Sequence, residues 1–390
     1  MNQALCEYIK ACPTAYHAAD YAKRALLEAG FTELREADEW QVVDGQGYFV
    51  MRGGSALIAF VAGGSGYRIT AAHGDSPALA VKWHKEKLAV EVYGGMIMSS
   101  WLDRPLSAAG RVTVRTEAGL DTRLVDLGEP VAVVPNVAIH LDRTVNDGKK
   151  INPAIDLQPL GAPLSERIEG DVVDADLILY NPQEGQVLGE VLCAPRLDDL
   201  QCAFAALTAF LKSRKAGNMY VLFDHEEVGS MSRQGAASNF LSDVMERLGN
   251  RMQKAAAGML VSCDNAHAAH PNHPELADGG KAVTLNGGVV IKHNANRKYT
   301  TEGVTSAVFE EICRRAGVPV QHYYNRPDQA GGSTLGAILS NQVSVPMVDI
   351  GCPQLAMHSA LETTGVKATE QMVQALTAFY QNEEVDYAGI

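Results

Sequence analysis

Two stretches near the start place apolar residues every three or four positions, which predicts helices, the second closing at Ala29-Gly30. Continuous apolar runs follow over 56–62 and 68–72, short enough to be buried strands rather than helices. From Val81 to Asp176 the pattern changes to short alternation, as in Leu88-Ala89-Val90-Glu91-Val92-Tyr93 and Arg111-Val112-Thr113-Val114-Arg115. Turns rich in Gly and Asp separate these runs, so this part is predicted to be an antiparallel β unit. After Leu192 the longer periods return: helix over 200–212, strand 219–223, helix 238–253, strand 258–263, strand 288–292, helix 304–316 and a last helix from Lys367. Strands alternating with helices predict an α/β fold, a mostly parallel sheet covered by helices. The β unit interrupts it, so residues 1–80 and 190–390 are expected to form two parts of one domain, with 81–189 inserted between them.

The apolar run Met219-Tyr220-Val221-Leu222-Phe223 leads directly into Asp224-His225-Glu226-Glu227-Val228-Gly229-Ser230. Two glutamates at a strand exit cannot both be core residues, because buried carboxylates must be paired or bound to metal. In a turn both side chains can converge on one site, one ligating a metal and the other accepting a proton. A solvated acidic loop explains Glu-Glu alone equally well. Upstream, the strand over 68–72 runs into His73-Gly74-Asp75, whose imidazole and carboxylate share one side of extended chain. A carboxylate beside a ligating histidine fixes its tautomer and ring orientation. Arg196-Leu197-Asp198-Asp199, Leu260-Val261-Ser262-Cys263-Asp264 and Gln354-Leu355-Ala356-Met357-His358-Ser359 also deliver His or Asp just after apolar runs. Such residues at strand ends are expected to meet at one edge of an α/β sheet. His73, Asp198, Glu227, Asp264 and His358 suffice for two metal ions if one carboxylate bridges them, leaving Glu226 free as a base. The set holds oxygen and nitrogen but no thiolate, which suits catalytic zinc, with cobalt or manganese as alternatives.

These motifs, with Asp264-Asn265-Ala266-His267-Ala268-Ala269-His270-Pro271-Asn272 and Gly331-Gly332-Ser333-Thr334-Leu335-Gly336, resemble those of the aspartyl aminopeptidases. The likeness runs in the family's order from Pro13-Thr14-Ala15-Tyr16-His17 to Met357-His358-Ser359, so it covers nearly the whole chain. It implies a zinc-exopeptidase fold and an enzyme releasing N-terminal residues, Asp or Glu foremost, from short peptides with two zinc ions per subunit. By the same likeness Asp198 bridges the metals, with His73 and Asp264 on one ion and Glu227 and His358 on the other. Glu226 is the general base and acid, and Asp75 orients His73. The resemblance further implies that His140 reaches a neighbouring subunit's site, and His267, close after Asp264, is expected to face substrate. Lys292 meets the substrate's acidic side chain beside Tyr299, and the subunits build a large closed homo-oligomer, commonly a dodecamer, with 81–189 as the oligomerisation domain. Asp199 stands where the family usually has Asn, Gly74 where it often has Thr, and Pro105 where it is usually acidic.

Without the resemblance, His140 reads as a hydrogen-bonded structural histidine and Lys292 as the partner of a protein carboxylate. His17, His84, His270 and His273 read as surface or packing residues, and His225 has no assigned role. At 390 residues the chain has room for a large core and about two domains. A net charge of −13 and no Lys/Arg cluster argue against nucleic acid. The start lacks the basic and apolar runs of a signal peptide, and no apolar stretch approaches the ~20 residues that cross a bilayer. Seven scattered cysteines without CxxC spacing suit reduced thiols in a cytoplasm. A dinuclear carboxypeptidase or deacylase would use the same ligands, and a catalytically silent assembly protein is the remaining rival class.

Overall fold

The all-apolar runs lie at the centre of a nine-stranded sheet in the computed structural model, which describes residues 1–382. The sheet order is Thr32–Leu34, Gly47–Arg52, Ala56–Val61, Asn218–Phe223, Arg68–His73, Met259–Cys263, Met347–Gly351, Val289–His293 and Val320–Tyr324. Every residue of Ala56–Val61, Asn218–Phe223 and Met259–Cys263 is buried, because both sheet faces are covered. Side chains alternate between the two layers. Leu57 and Ala59 join the apolar cluster under the helices Ala15–Glu28, Leu197–Lys212, Gly303–Arg315 and Ala368–Gln381. Ile58 and Phe60 join the opposite cluster, beneath Phe240–Arg247 and Leu335–Leu339.

Four central strands run parallel: Arg68–His73 pairs with Asn218–Phe223 and with Met259–Cys263, and Met259–Cys263 pairs with Met347–Gly351. In register, Phe223 lies opposite His73 and Cys263 opposite Ile350. Parallel neighbours end at the same edge, so whatever follows these strands is delivered to one place.

A second sheet contains Ala78–Val81, Val90–Tyr93, Pro105–Thr116, Gly119–Asp126 and Val172–Tyr180, with Ala132–Val133 paired onto it, and its pairings are antiparallel. Its core is separate and gathers Leu79, Trp101, Leu106, Val112, Leu177 and Leu179. A small third sheet joins Gln186–Leu188, Val191–Ala194, Glu362–Gly365, Pro353–Leu355 and Ala266–His267, and sets Glu362 opposite Ala194.

Two elements differ from the sequence expectation. The helix expected over 238–253 is two helices, Phe240–Arg247 and Arg251–Ala256. Gly249 and Asn250 between them take φ of 70° and 52°, a left-handed conformation that suits Gly and is tolerated by Asn. The helix expected over 200–212 begins at Leu197, but Asp198 and Asp199 have non-helical backbone angles within it, and the peptide bond between them is cis.

Candidate metal centre

His73 is the last residue of its strand and is 1% exposed. Its Nδ1 is 3.0 Å from the Asp75 carbonyl oxygen. A carbonyl can only accept, so Nδ1 carries the proton and Nε2 presents its lone pair inward. Nε2 lies 3.6 Å from Asp198 Oδ1. On the other side, Asp198 Oδ2 is 3.4 Å from His358 Nε2, and Glu227 Oε2 is 3.3 Å from that same nitrogen. The His358 Nδ1 is 3.0 Å from the Gly95 carbonyl, so this ring too directs Nε2 into the centre. Two groups of potential ligands result, His73–Asp198–Asp264 and Asp198–Glu227–His358, each with its donor atoms within 4.8 Å of one another. Asp198 belongs to both, one oxygen facing each histidine.

Local backbone aims these side chains. Arg196, His225 and His358 take φ of 55°, 61° and 67°, and Ala356 one of 54°. Left-handed turns at non-glycine residues cost of order 1 kcal/mol each and tend to gather at functional sites. Here they turn the chain sharply beside Asp198, Glu226–Glu227 and His358.

Asp75 does more than hold His73. Its Oδ1 accepts the Glu226 N–H and its Oδ2 the Glu227 N–H, both at 3.1 Å, while the Tyr93 hydroxyl donates to Oδ2 at 2.7 Å. One buried aspartate thus sets both His73 and the turn that carries both glutamates. Glu226 is partly buried at the start of the turn Glu226–Val228, and its carboxylate makes no hydrogen bond among the described residues.

The centre is strongly acidic. Burial pushes Glu226 up to about 8 and Asp264 up to about 6, with Asp198 adding repulsion to both. Burial also opposes the charge on Asp198, yet the close approach of the His358 and His73 imidazoles holds its carboxyl below the usual range. Among the described residues, Asp198 Oδ1 and Glu227 Oε1 are buried without a hydrogen-bond partner. Separations of 3.3–3.6 Å between imidazole nitrogen and carboxylate oxygen are too long for good hydrogen bonds. They match the ~3.4 Å edge of a tetrahedron whose metal–ligand bonds are ~2.1 Å. Unpartnered acceptors, inward lone pairs and excess negative charge therefore fit a cation held by nitrogen and oxygen.

The remaining expected site residues are placed less centrally. Lys292 is buried and donates to the carbonyls of Asp264 at 2.7 Å and Asn265 at 3.3 Å, with Nζ 3.7 Å from Asp264 Oδ1. Its ammonium lies over the buried Tyr299 ring, 5.3 Å from the centroid. His267 is exposed, edge-on to Tyr323, and lines a cavity of about 670 Å3 with His270, His322, Gln354 and Ala356. His140 is exposed on the second-sheet side and outside both ligand groups. Asp199 is fully buried, and its Oδ2 accepts the His73 N–H at 3.3 Å. Sequence reasoning missed Tyr93 and Glu362. Tyr93 closes an alternating strand, and Glu362 lies four residues after His358, a spacing that hinted at a shared turn.

A cluster of this kind at the carboxyl ends of parallel strands suits the metal centre of a metal-dependent hydrolase. Residues 8–169 and 164–380 match the family model of the aminopeptidase I zinc metalloproteases, M18. The chain is 38% identical over 421 residues to a probable M18 family aminopeptidase 2 of Clostridium novyi (strain NT), covering 96% of this chain and 97% of the relative. A protein of the same description from Pseudomonas aeruginosa (strain LESB58) is 41% identical over 424 residues, covering 99% of each. Among solved structures, a chain of the Ape4 and Nbr1 complex superimposes with a TM-score of 0.92 at 33% identity, over 100% of this chain and 86% of the other. The S. cerevisiae mApe1 dodecamer gives 0.82 at 26% identity, over 98% and 96%. The chain belongs to the M18 family, which includes the aspartyl aminopeptidases, and it is a zinc metalloaminopeptidase. Carboxypeptidase, deacylase and silent readings fall away with that membership. No helix among the described residues is long and apolar enough to cross a membrane.

Proposed function

We propose that this aminopeptidase removes N-terminal Asp or Glu from short peptides, using two metal ions held by His73, Asp198, Asp264, Glu227 and His358. The observation that carries the two-ion reading is the position of Asp198, one carboxylate facing two histidines in two ligand groups. Zinc bound there supplies Lewis acidity, polarising the scissile carbonyl and making an attacking water more acidic. The chain's own residues do the rest. Glu226, whose carboxylate makes no hydrogen bond among the described residues, accepts the proton of the attacking water and delivers it to the leaving amine. Asp75 and Tyr93 hold the Glu226–Glu227 turn so that the base and its neighbouring ligand keep their spacing. The carboxylates left around the centre attract the free α-amine of the substrate, which suits an exopeptidase. Free thiols at all seven cysteines suit a reducing cytoplasm.

Acidic preference rests on Lys292, a buried cation beside Asp264, with Tyr299 packed under it. Lys292→Met is expected to lower kcat/KM for N-terminal Asp and Glu substrates about 100-fold more than for Ala or Leu substrates. An equal loss across the whole panel would assign Lys292 to holding Asp264 through its carbonyl and remove it from specificity. His267, on the wall of the cavity of about 670 Å3, is the proposed contact for the peptide beyond the scissile bond.

The inserted part, 81–189, is proposed to build the oligomer, in keeping with the dodecamer of S. cerevisiae mApe1. Its loop exposes Leu141 at 83% and Ile155 at 73%, with Val137, Ile139 and Leu160, more apolar surface in one segment than a monomer comfortably presents. Closed symmetry lets such a surface carry His140 into a neighbour's site. Inactive Glu226→Gln chains mixed with inactive His140→Phe chains should regain partial activity on co-assembly. A fully active monomer in sedimentation, or no recovery in verified mixed assemblies, removes the shared site.

A further inference from the structure

We propose that Glu362 is a positioning residue that sets the spacing between Asp198 and His358. The inference rests on the reading of those two residues as metal ligands. Glu362 is 2% exposed. Its Oε1 accepts the His358 N–H at 2.6 Å, and its Oε2 accepts the Asp198 N–H at 3.0 Å. No Lys or Arg lies within ion-pair distance of it among the described residues, so these two amides are the partners of a carboxylate that burial would otherwise penalise heavily.

Both amides need such a partner. His358 is in the left-handed region, and Asp198 has φ −81° and ψ 111° inside an otherwise helical segment. Neither amide has a backbone acceptor among the described residues, and a buried unpaired N–H costs about 1–3 kcal/mol. Glu362 satisfies both with one rigid planar group, which ties the start of Leu197–Lys212 to the turn before Glu362–Gly365. The strand register opposite Ala194 anchors Glu362 itself. The 3.4 Å separation of Asp198 Oδ2 and His358 Nε2 is therefore set from behind by one side chain.

Asp75 repeats the arrangement on the other side, gripping the Glu227 N–H. In the group Asp198–Glu227–His358, every ligand thus has its backbone amide held by a buried carboxylate, two of them by Glu362. In the other group Asp198 is shared, but His73 and Asp264 are held without Glu362: the amides of His73 and Asp264 go to Asp199 Oδ2 and the Ile350 carbonyl. Glu362 accordingly acts on one metal site far more than on the other.

The test is a competition titration of zinc onto the full-length apo protein, wild type beside Glu362→Gln, with thermal melting of both metal-free proteins. The isosteric amide keeps one acceptor and turns an NH2 toward the other amide. We expect one of two affinities to fall 10- to 100-fold, the other to change less than threefold, and the metal-free melting temperature to stay within a few degrees. Unchanged affinities at both sites overturn the proposal. So does a parallel loss at both sites with a collapse of metal-free stability, which marks Glu362 as a general structural residue. If Glu362→Gln does not fold, Glu362→Asp, a methylene too short to reach both amides, is read by the same criteria. Wild-type protein that binds a single ion overturns the two-ion reading instead, and Glu362 is then judged by whether that ion weakens in the variant.

Discussion

Glu226→Gln is expected to lower kcat by 10^3-fold or more while the metal content stays at the wild-type level. The substitution keeps the shape of the side chain and removes its capacity to take a proton. Positioned proton transfer contributes about 10^2–10^4 to a rate, and here the same group serves in both halves of the reaction, attack and departure. The carboxylate is absent from both ligand groups and has no hydrogen-bond partner among the described residues, so little else depends on its charge. The Glu226 N–H that Asp75 accepts is backbone and survives the change. Metal analysis and turnover on one preparation decide the matter. A metal-replete variant working at near-normal rate would remove Glu226 as the base.

Asp198→Ala should cost the protein both ions. The residue is common to the two ligand groups, and its loss leaves each with two side chains, one imidazole and one carboxylate. Outer-sphere changes alone weaken metal sites 10- to 100-fold, so losing a shared ligand should weaken each by at least ~100-fold. By mass action, a 100-fold weaker ion contributes about 2.7 kcal/mol less to stability at saturating metal, and the metal-dependent rise in melting temperature should shrink accordingly. Glu226→Gln should show no such change, which separates loss of metal from loss of the base. Two tightly held ions in the Asp198→Ala protein would put the bridge elsewhere, with Asp199 first in line because it lies beside His73 in the fully buried interior.

How much of this was legible beforehand follows from what a linear pattern encodes. Continuous apolar runs marked the central strands, since a strand covered on both faces has no polar side to show. Polar residues immediately after such runs marked His73, Glu226, Glu227 and Asp264, because a strand end is where a chain leaves the core. The two-residue period and frequent turns of 81–176 marked an antiparallel sheet with its own core. Helix ends were less legible: the split at Gly249-Asn250 depends on two left-handed residues that apolar periodicity does not register.

By itself, then, the sequence determined the sheet's parallel centre, the interrupted order of its strands and the chemical type of the candidate ligands, all properties of neighbouring residues. Tertiary structure alone decided how those ligands are held. Asp75 reaches amides 151 and 152 residues away, and Glu362 one at 164. Lys292, expected to face substrate, spends two donors on the carbonyls of Asp264 and Asn265. A hydrogen bond between a side chain and a distant backbone amide leaves no periodic trace in a sequence. It exists only once the strands have paired and the turns beyond them have closed.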